Sequence, residues 1–174
     1  MNKKTYLIIG GTGGIGKAMV EQLIQMTHKI QTGIAVFATY HNSVPEIEAD
    51  NLYWLKMDIS DEDSIKQSID AIKTHSNHID WVINCVGLLH TEHNKPEKAL
   101  RQMQTEFFLQ NMQVNALASM LIAKHIKPLL KNAERSTDNP AIFATISARV
   151  GSISDNELGG WYSYRMSKAA LNMG

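Results

Sequence analysis

Residues 5–16 read Thr5-Tyr6-Leu7-Ile8-Ile9-Gly10-Gly11-Thr12-Gly13-Gly14-Ile15-Gly16, and the fold is decided there. Thr5 to Ile9 is a short apolar run stopped by glycine. Its length and glycine flank read as a strand buried on both faces. From Gly14 the period changes. Ile15, Met19, Leu23 and Met26 fall on one stripe of a helix over residues 14–26. Between strand and helix stand Gly10, Gly14 and Gly16, with Gly11 and Gly13 adding slack. Residues without Cβ permit a tight turn. Backbone N–H groups at the helix N-terminus can then take a pyrophosphate, which the helix dipole favours. The alternative is a glycine turn that only packs helix on strand. The strand–turn–helix context favours the phosphate site.

Outward from this turn, strands and helices alternate. Strands are expected at Ile34–Tyr40, Leu52–Met57, Trp81–Val86 and Pro140–Ile146. Helices are expected at 61–75, 104–130 and from Tyr162 onward. Ser60 is the expected N-cap of the first, with Asp61, Glu62 and Asp63 in its first turn. The alternation implies an α/β chain with a parallel sheet and right-handed crossovers. A polar stretch at 90–98 and a glycine-bearing loop at 151–160 are the larger loops. Residues 132–139 form the only linker-like segment, too short to separate domains. The whole chain, 1–174, reads as one domain.

Composition narrows the function. The 174 residues are 44% hydrophobic and 20% charged, with 17 Lys+Arg against 17 Asp+Glu. That balance argues against nucleic acid or an anionic membrane as main partner. No apolar run approaches the roughly 18 residues of a membrane helix. One cysteine, Cys85, excludes an internal disulfide and fits a reducing compartment. The expected location is cytoplasmic. The pairs His75/His78 and His90/His93 lack the further ligands a metal needs, so no metal site is expected.

Two further features bear on chemistry. The second strand ends at Thr39-Tyr40-His41, with Tyr40 where an acid for a ribose 2′-OH is usual. Loss of that acid removes repulsion against a 2′-phosphate, and His41 offers a donor, which tilts the site towards NADP(H) over NAD(H). Tyr164 and Lys168 stand at i and i+4 on one helix face. An ammonium beside a phenol lowers the phenol pKa towards the working range of a proton donor. Ser147 follows the fifth strand, where its hydroxyl could bond a carbonyl oxygen. Asn115 lies inside the long helix, an unfavourable place for asparagine unless its side chain has a task.

These residues together resemble the short-chain dehydrogenase/reductase family over essentially the whole chain. Gly10 to Gly16 (Gly10, Thr12, Gly13, Gly14, Ile15, Gly16) matches the family's glycine motif, with Ile9 in place of the usual threonine. Asp58, followed by Ile59, matches the acid that contacts adenine. Asn84-Cys85-Val86-Gly87 matches the Asn-Asn-Ala-Gly element with two positions changed. Asn115, Ser147, Tyr164 and Lys168 match the catalytic tetrad, and Ser147 to Met173 most resembles C-factor-like, sniffer-like carbonyl reductases. The Ser147–Tyr164 interval is long, and Asp155 to Gly160 reads as an extra loop at the substrate mouth.

The resemblance implies a Rossmann-type, doubly wound α/β/α sheet and hydride transfer between NADP(H) and a small carbonyl or secondary alcohol. Tyr164 would exchange the proton, Lys168 would hold the nicotinamide ribose and lower the Tyr164 pKa, and Ser147 would orient the carbonyl. Asn115 would hold a water leading to solvent. Family members commonly form homodimers or homotetramers. Against six or seven family strands the sequence carries five, so it reads as truncated at the C-terminus, with the fifth strand an exposed apolar edge. The competing readings are a nucleotide-binding or signalling protein without useful catalysis, and an inactive fragment.

Overall fold

Strand β1 (Lys4–Ile9) forms because Leu7, Ile8 and Ile9 are fully buried. Each contributes about 1.5–3 kcal/mol by leaving water. In the computed structural model, which describes residues 4–29, 33–43, 45–132 and 140–174, β1 is the centre of a five-stranded parallel sheet. The others are β2 (Ile34–Tyr40), β3 (Leu52–Lys56), β4 (Trp81–Asn84) and β5 (Ile142–Thr145), in the order β3-β2-β1-β4-β5. Leu7 pairs with Phe37 on one side and Val82 on the other. The chain order reverses across β1 and β4, so the carboxyl ends of these strands, at Gly10 and Asn84, form the usual ligand crevice of such sheets.

Flanking helices are α1 (Gly14–Lys29), α2 (Glu62–Lys73), α3 (Thr105–Met112), α4 (Ala118–Lys131) and α5 (Tyr162–Met173). Helix α2 turns Ile65, Ile69 and Ile72 inward and α4 turns Ile122, Ile126 and Leu129 inward, each at helical spacing. This is the Rossmann-like α/β arrangement expected. By internal contacts the chain forms two compact units, Met1–Val86 with Ile122–Thr145, and Gly87–Leu121 with Ile146–Gly174.

The structure amends several expectations. The stripe of α1 is shifted by one residue. Val20 is buried, with Met19, Leu23 and Ile24 packed on its cluster, whereas Ile15 is 56% exposed. The cause is Gly16, which must lie against the Gly10 carbonyl and so turns that face inward. Asp61, not Ser60, caps α2, its carboxylate accepting from the Asp63 amide at 3.0 Å. Strand β4 stops at Asn84 instead of Val86, because Asn84 Oδ1 accepts the Val86 amide and turns the chain.

The long helix expected at 104–130 is three segments. A π-turn over Gln113–Leu117 separates α3 from α4 and contains Asn115. Strand β5 is shorter than expected and stands at a sheet edge, with Ile142 and Phe143 half-buried. Of the linker-like segment, 133–139 lie outside the described residues.

Candidate active site

In the first unit the glycine turn is tightly packed. Gly10 adopts φ 81°, and a Cβ there would meet Val86 Cγ2 at 2.7 Å. Its amide donates to Thr39 Oγ1 at 3.0 Å, and the Gly11 amide donates to the Thr39 carbonyl at 2.8 Å. A Cβ on Gly16 would stand 2.1 Å from the Gly10 carbonyl oxygen. Around Gly14, by contrast, a Cβ would meet nothing within 4 Å. Helix α1 therefore opens onto free space at its positive end, with no acid in its first turn. These residues fit an anionic dinucleotide.

Thr12 lines a cleft beside the turn together with Lys17, Ser43 and Trp54. Lys17 and Ser43 were not singled out from the sequence. A cation one residue past the last glycine was the signal available for Lys17.

Tyr40 ends β2, its carbonyl accepting the Met57 amide and its ring meeting Trp54 edge-on. His41 is exposed and places Nε2 3.5 Å from Asp58 Oδ2. Asp58 Oδ1 accepts the Ser60 amide at 2.8 Å, and Ile59 beside it is buried. Asn84 is fully buried. Cys85 is half-buried, its thiol against the Met19 sulfur at 3.8 Å, and burial pushes its pKa up. It is a packing residue.

In the second unit, α5 carries Tyr164 and Lys168 on one face. Lys168 is 2% exposed; its Nζ donates to the Ile146 carbonyl at 2.9 Å and lies 5.8 Å from the centre of the Tyr164 ring. Gly87 makes room for it, since a Cβ there would stand 3.3 Å from Lys168 Nζ. The ammonium thus faces the ring, a cation–π arrangement. The net direction of the Tyr164 pKa is set by burial and not by Lys168. Burial raises Tyr164 above the ordinary phenol value and lowers Lys168 below the ordinary amine value.

Asn115 is almost fully buried. Its amide is spent on protein. Oδ1 accepts the Leu88 amide at 2.7 Å, while the two hydrogens of Nδ2 are shared among three acceptors, the Leu88 carbonyl at 2.8 Å, Ser167 Oγ at 2.9 Å and Asn111 Oδ1 at 3.2 Å. Its side chain clamps the main chain of Leu88. The π-turn around it is the local distortion such sites often carry. Ser147 is exposed, and its hydroxyl donates to Asn172 Oδ1 at 2.5 Å. Asn172 Nδ2 donates to the Gly151 carbonyl at 3.2 Å, which fixes that amide's orientation.

The structure brings Asn115, Tyr164 and Lys168 into one bonded neighbourhood, through Ser167 and Gly87, within the second unit. Gly10, Thr39 and Val86 meet within the first unit. Among the described residues, no group of three His, Cys, Asp or Glu is placed to hold a metal ion, and no helix is long and apolar enough to cross a membrane.

The five-stranded parallel sheet and its flanking helices define a Rossmann-like α/β protein. The chain belongs to the short chain dehydrogenase family, whose model matches residues 4–173. It is 28% identical to a short chain dehydrogenase of Penicillium aethiopicum, over 86% of this chain and 58% of that protein. It is 27% identical to a benzil reductase ((S)-benzoin forming) of Bacillus cereus, over 97% of this chain and 65% of that protein. In structure it resembles the NADPH-bound carbonyl reductase from chicken fatty liver, at TM-score 0.78 and 25% identity, covering 99% of this chain and 68% of the other. The carbonyl reductase Sniffer of Drosophila melanogaster shares the fold at TM-score 0.83 and 23% identity, covering 99% and 72%. The chain therefore spans little more than half the length of the Penicillium relative.

Proposed function

We propose that this chain carries the nucleotide cradle and proton-transfer residues of an NADPH-dependent carbonyl reductase of the C-factor-like and sniffer-like kind. The observation that carries the reading is the placement of half-buried Tyr164 and buried Lys168 on one face of α5, with Lys168 Nζ 5.8 Å from the centre of the Tyr164 ring. A phenol, with its ordinary value of about 10, carries its proton near neutral pH. A neutral phenol suits donation to a developing alkoxide, the direction of carbonyl reduction.

The open N-terminus of α1, at Gly13 to Gly16, receives the pyrophosphate. Asp58 and Ile59 flank the adenine. Tyr40 replaces a ribose-binding acid, and Lys17, Ser43 and His41 favour the 2′-phosphate of NADP(H) over NAD(H); the NADPH-bound chicken enzyme supports this choice. The bound dinucleotide supplies the hydride. Tyr164 gives its hydroxyl proton to the substrate carbonyl oxygen, and Lys168, anchored on Ile146, holds the nicotinamide ribose. Ser147 orients the carbonyl once its hydroxyl turns from Asn172. The substrate class is a small ketone or diketone, for which benzil is the first probe.

The test is reduction of benzil with NADPH by the wild-type chain and by Tyr164→Phe. The variant should lose at least about 100-fold in kcat, the usual scale for a proton donor, and bind NADPH within about twofold of wild type. Retained turnover in Tyr164→Phe overturns the mechanism. NADPH binding without reduction across a carbonyl panel favours the nucleotide-binding alternative.

A further inference from the structure

No carboxylate takes part in the proposed proton transfer, yet the second unit buries one. Glu97 is 2% exposed, although its neighbours in the polar 90–98 stretch are mostly solvated. Its contacts all lead to the start of α5. The Glu97 carbonyl accepts the Trp161 amide at 2.6 Å. One carboxylate oxygen accepts the Ser163 hydroxyl. The other accepts the Ser163 amide at 3.3 Å. Trp161 is the N-cap of α5 and has no side-chain oxygen to cap it. A carboxylate 66 residues earlier in the chain takes that role, where the helix dipole favours negative charge.

The chain entering α5 is strained. Gly159, Gly160 and Trp161 have φ of 63°, 67° and 51° in succession. Glycine adopts this region freely, but tryptophan does not, so its surroundings must hold it there. Gly160 passes close beneath Glu97, since a Cβ on it would stand 3.2 Å from the Glu97 carbonyl oxygen. The Trp161 ring then meets the Tyr164 ring edge-on, with centroids 6.3 Å apart. A continuous path runs from Glu97 through the backbone of Trp161 to its ring, and from there to the ring of Tyr164.

We propose that Glu97 is the positioning residue for Tyr164: it caps α5 from outside, holds Trp161 in its left-handed conformation, and so sets where the Tyr164 ring stands. The catalytic consequence rests on the function proposed above; the placement of the ring does not.

The experiment therefore has two arms, run on the full chain with Glu97→Ala, Glu97→Gln and Tyr164→Phe. In the first, the five tyrosines are labelled at Cζ with carbon-13 and observed by NMR, and the Tyr164 signal is identified by its absence in Tyr164→Phe. In Glu97→Ala the Tyr164 signal should move while those of Tyr6, Tyr40 and Tyr53 hold. In Glu97→Gln, which keeps one oxygen for the Ser163 hydroxyl, it should move part of the way. In the second arm, kcat for NADPH-dependent benzil reduction should fall about 10- to 100-fold in Glu97→Ala, the scale of a displaced catalytic group. KM for NADPH should stay within about twofold, and Glu97→Gln should recover part of kcat. An unmoved Tyr164 signal in Glu97→Ala overturns the proposal; if Glu97→Ala does not fold, an unmoved signal in Glu97→Gln overturns it instead. A wild-type chain without turnover defeats the functional reading alone, and the NMR arm still decides the role of Glu97.

Discussion

Alanine at Gly14 and alanine at Gly16 should act in opposite directions, although the two glycines lie in one turn. Neither has positive φ, so neither substitution strains its own backbone. At Gly16 the new methyl group would stand 2.1 Å from the Gly10 carbonyl oxygen and 2.8 Å from its carbon. Those are main-chain atoms, and at least about 1.3 Å of movement is needed to reach ordinary contact; overpacking of this kind costs about 1–3 kcal/mol. For a chain of this length each kcal/mol is worth about 2–4 °C, so Gly16→Ala should lower Tm by about 2–12 °C. At Gly14 the methyl group meets nothing within 4 Å. The substitution reduces unfolded-state entropy and should stabilise the free chain by about 0.4–1 kcal/mol. The same methyl group, however, occupies the open space at the helix N-terminus. Wild-type chain with NADPH at about 100 times Kd should gain about 2.7 kcal/mol, and Gly14→Ala should lose most of that gain. The assay is a thermal melt of each chain with and without NADPH. An undiminished NADPH shift in Gly14→Ala would refute the placement of the pyrophosphate, and an unchanged Tm in Gly16→Ala would refute the close packing of the turn.

Two further perturbations test the second unit. Asn115→Ala removes the partners of both the Leu88 amide and the Leu88 carbonyl; at about 1–3 kcal/mol for each partly buried group left unpaired, urea unfolding should show a loss of about 2–4 kcal/mol, and a loss below about 0.5 kcal/mol would contradict the clamp. Stability should also depend on alkaline pH with a definite sign. Tyr6 and Tyr164 hold their protons more tightly when folded, so their contribution is present below the ordinary phenol value of about 10 and is lost as pH rises through their raised values. Lys168 is lowered by burial, so its effect is opposite, with stability rising as pH climbs from the lowered value towards about 10.4. Urea midpoints measured from about pH 8 to about pH 11 should show that Tyr164→Phe weakens the alkaline fall; a curve parallel to wild type would count against the burial of the phenol.

Periodicity made the order of strands and helices legible, because β1 to β5 are apolar runs punctuated by glycine or polar residues. What remained hidden depends on distant partners. Asn115 was recognisable as a misfit within a helix, but its bonds reach Leu88, 27 residues away, and no local pattern encodes a π-turn. The i, i+4 spacing of Tyr164 and Lys168 was legible. The anchoring of the ammonium on the Ile146 carbonyl, 22 residues away, was not. Glu97 looked like one charge among several in a solvated loop, and only its burial against Ser163 sets it apart.

A common device runs through the second unit. Lys168 bonds the carbonyl of Ile146, Asn115 bonds the main chain of Leu88, Asn172 bonds the carbonyl of Gly151, and Ser167 bonds the carbonyl of Tyr164. The polar side chains are thus held largely by backbone groups, and of the loop residues among these partners neither Ile146 nor Leu88 offers a polar side chain. A backbone carbonyl is present whatever residue occupies the position. Loop side chains can therefore vary, and with them the surface a substrate meets, while the anchors stay in place. Ile153 illustrates the freedom: it is 80% exposed in a loop whose Gly151 carbonyl still holds Asn172. Glu97 binds both the side chain and the amide of Ser163 in α5, so substitution there reaches Tyr164 where substitution of Ile146 or Leu88 for another apolar residue need not.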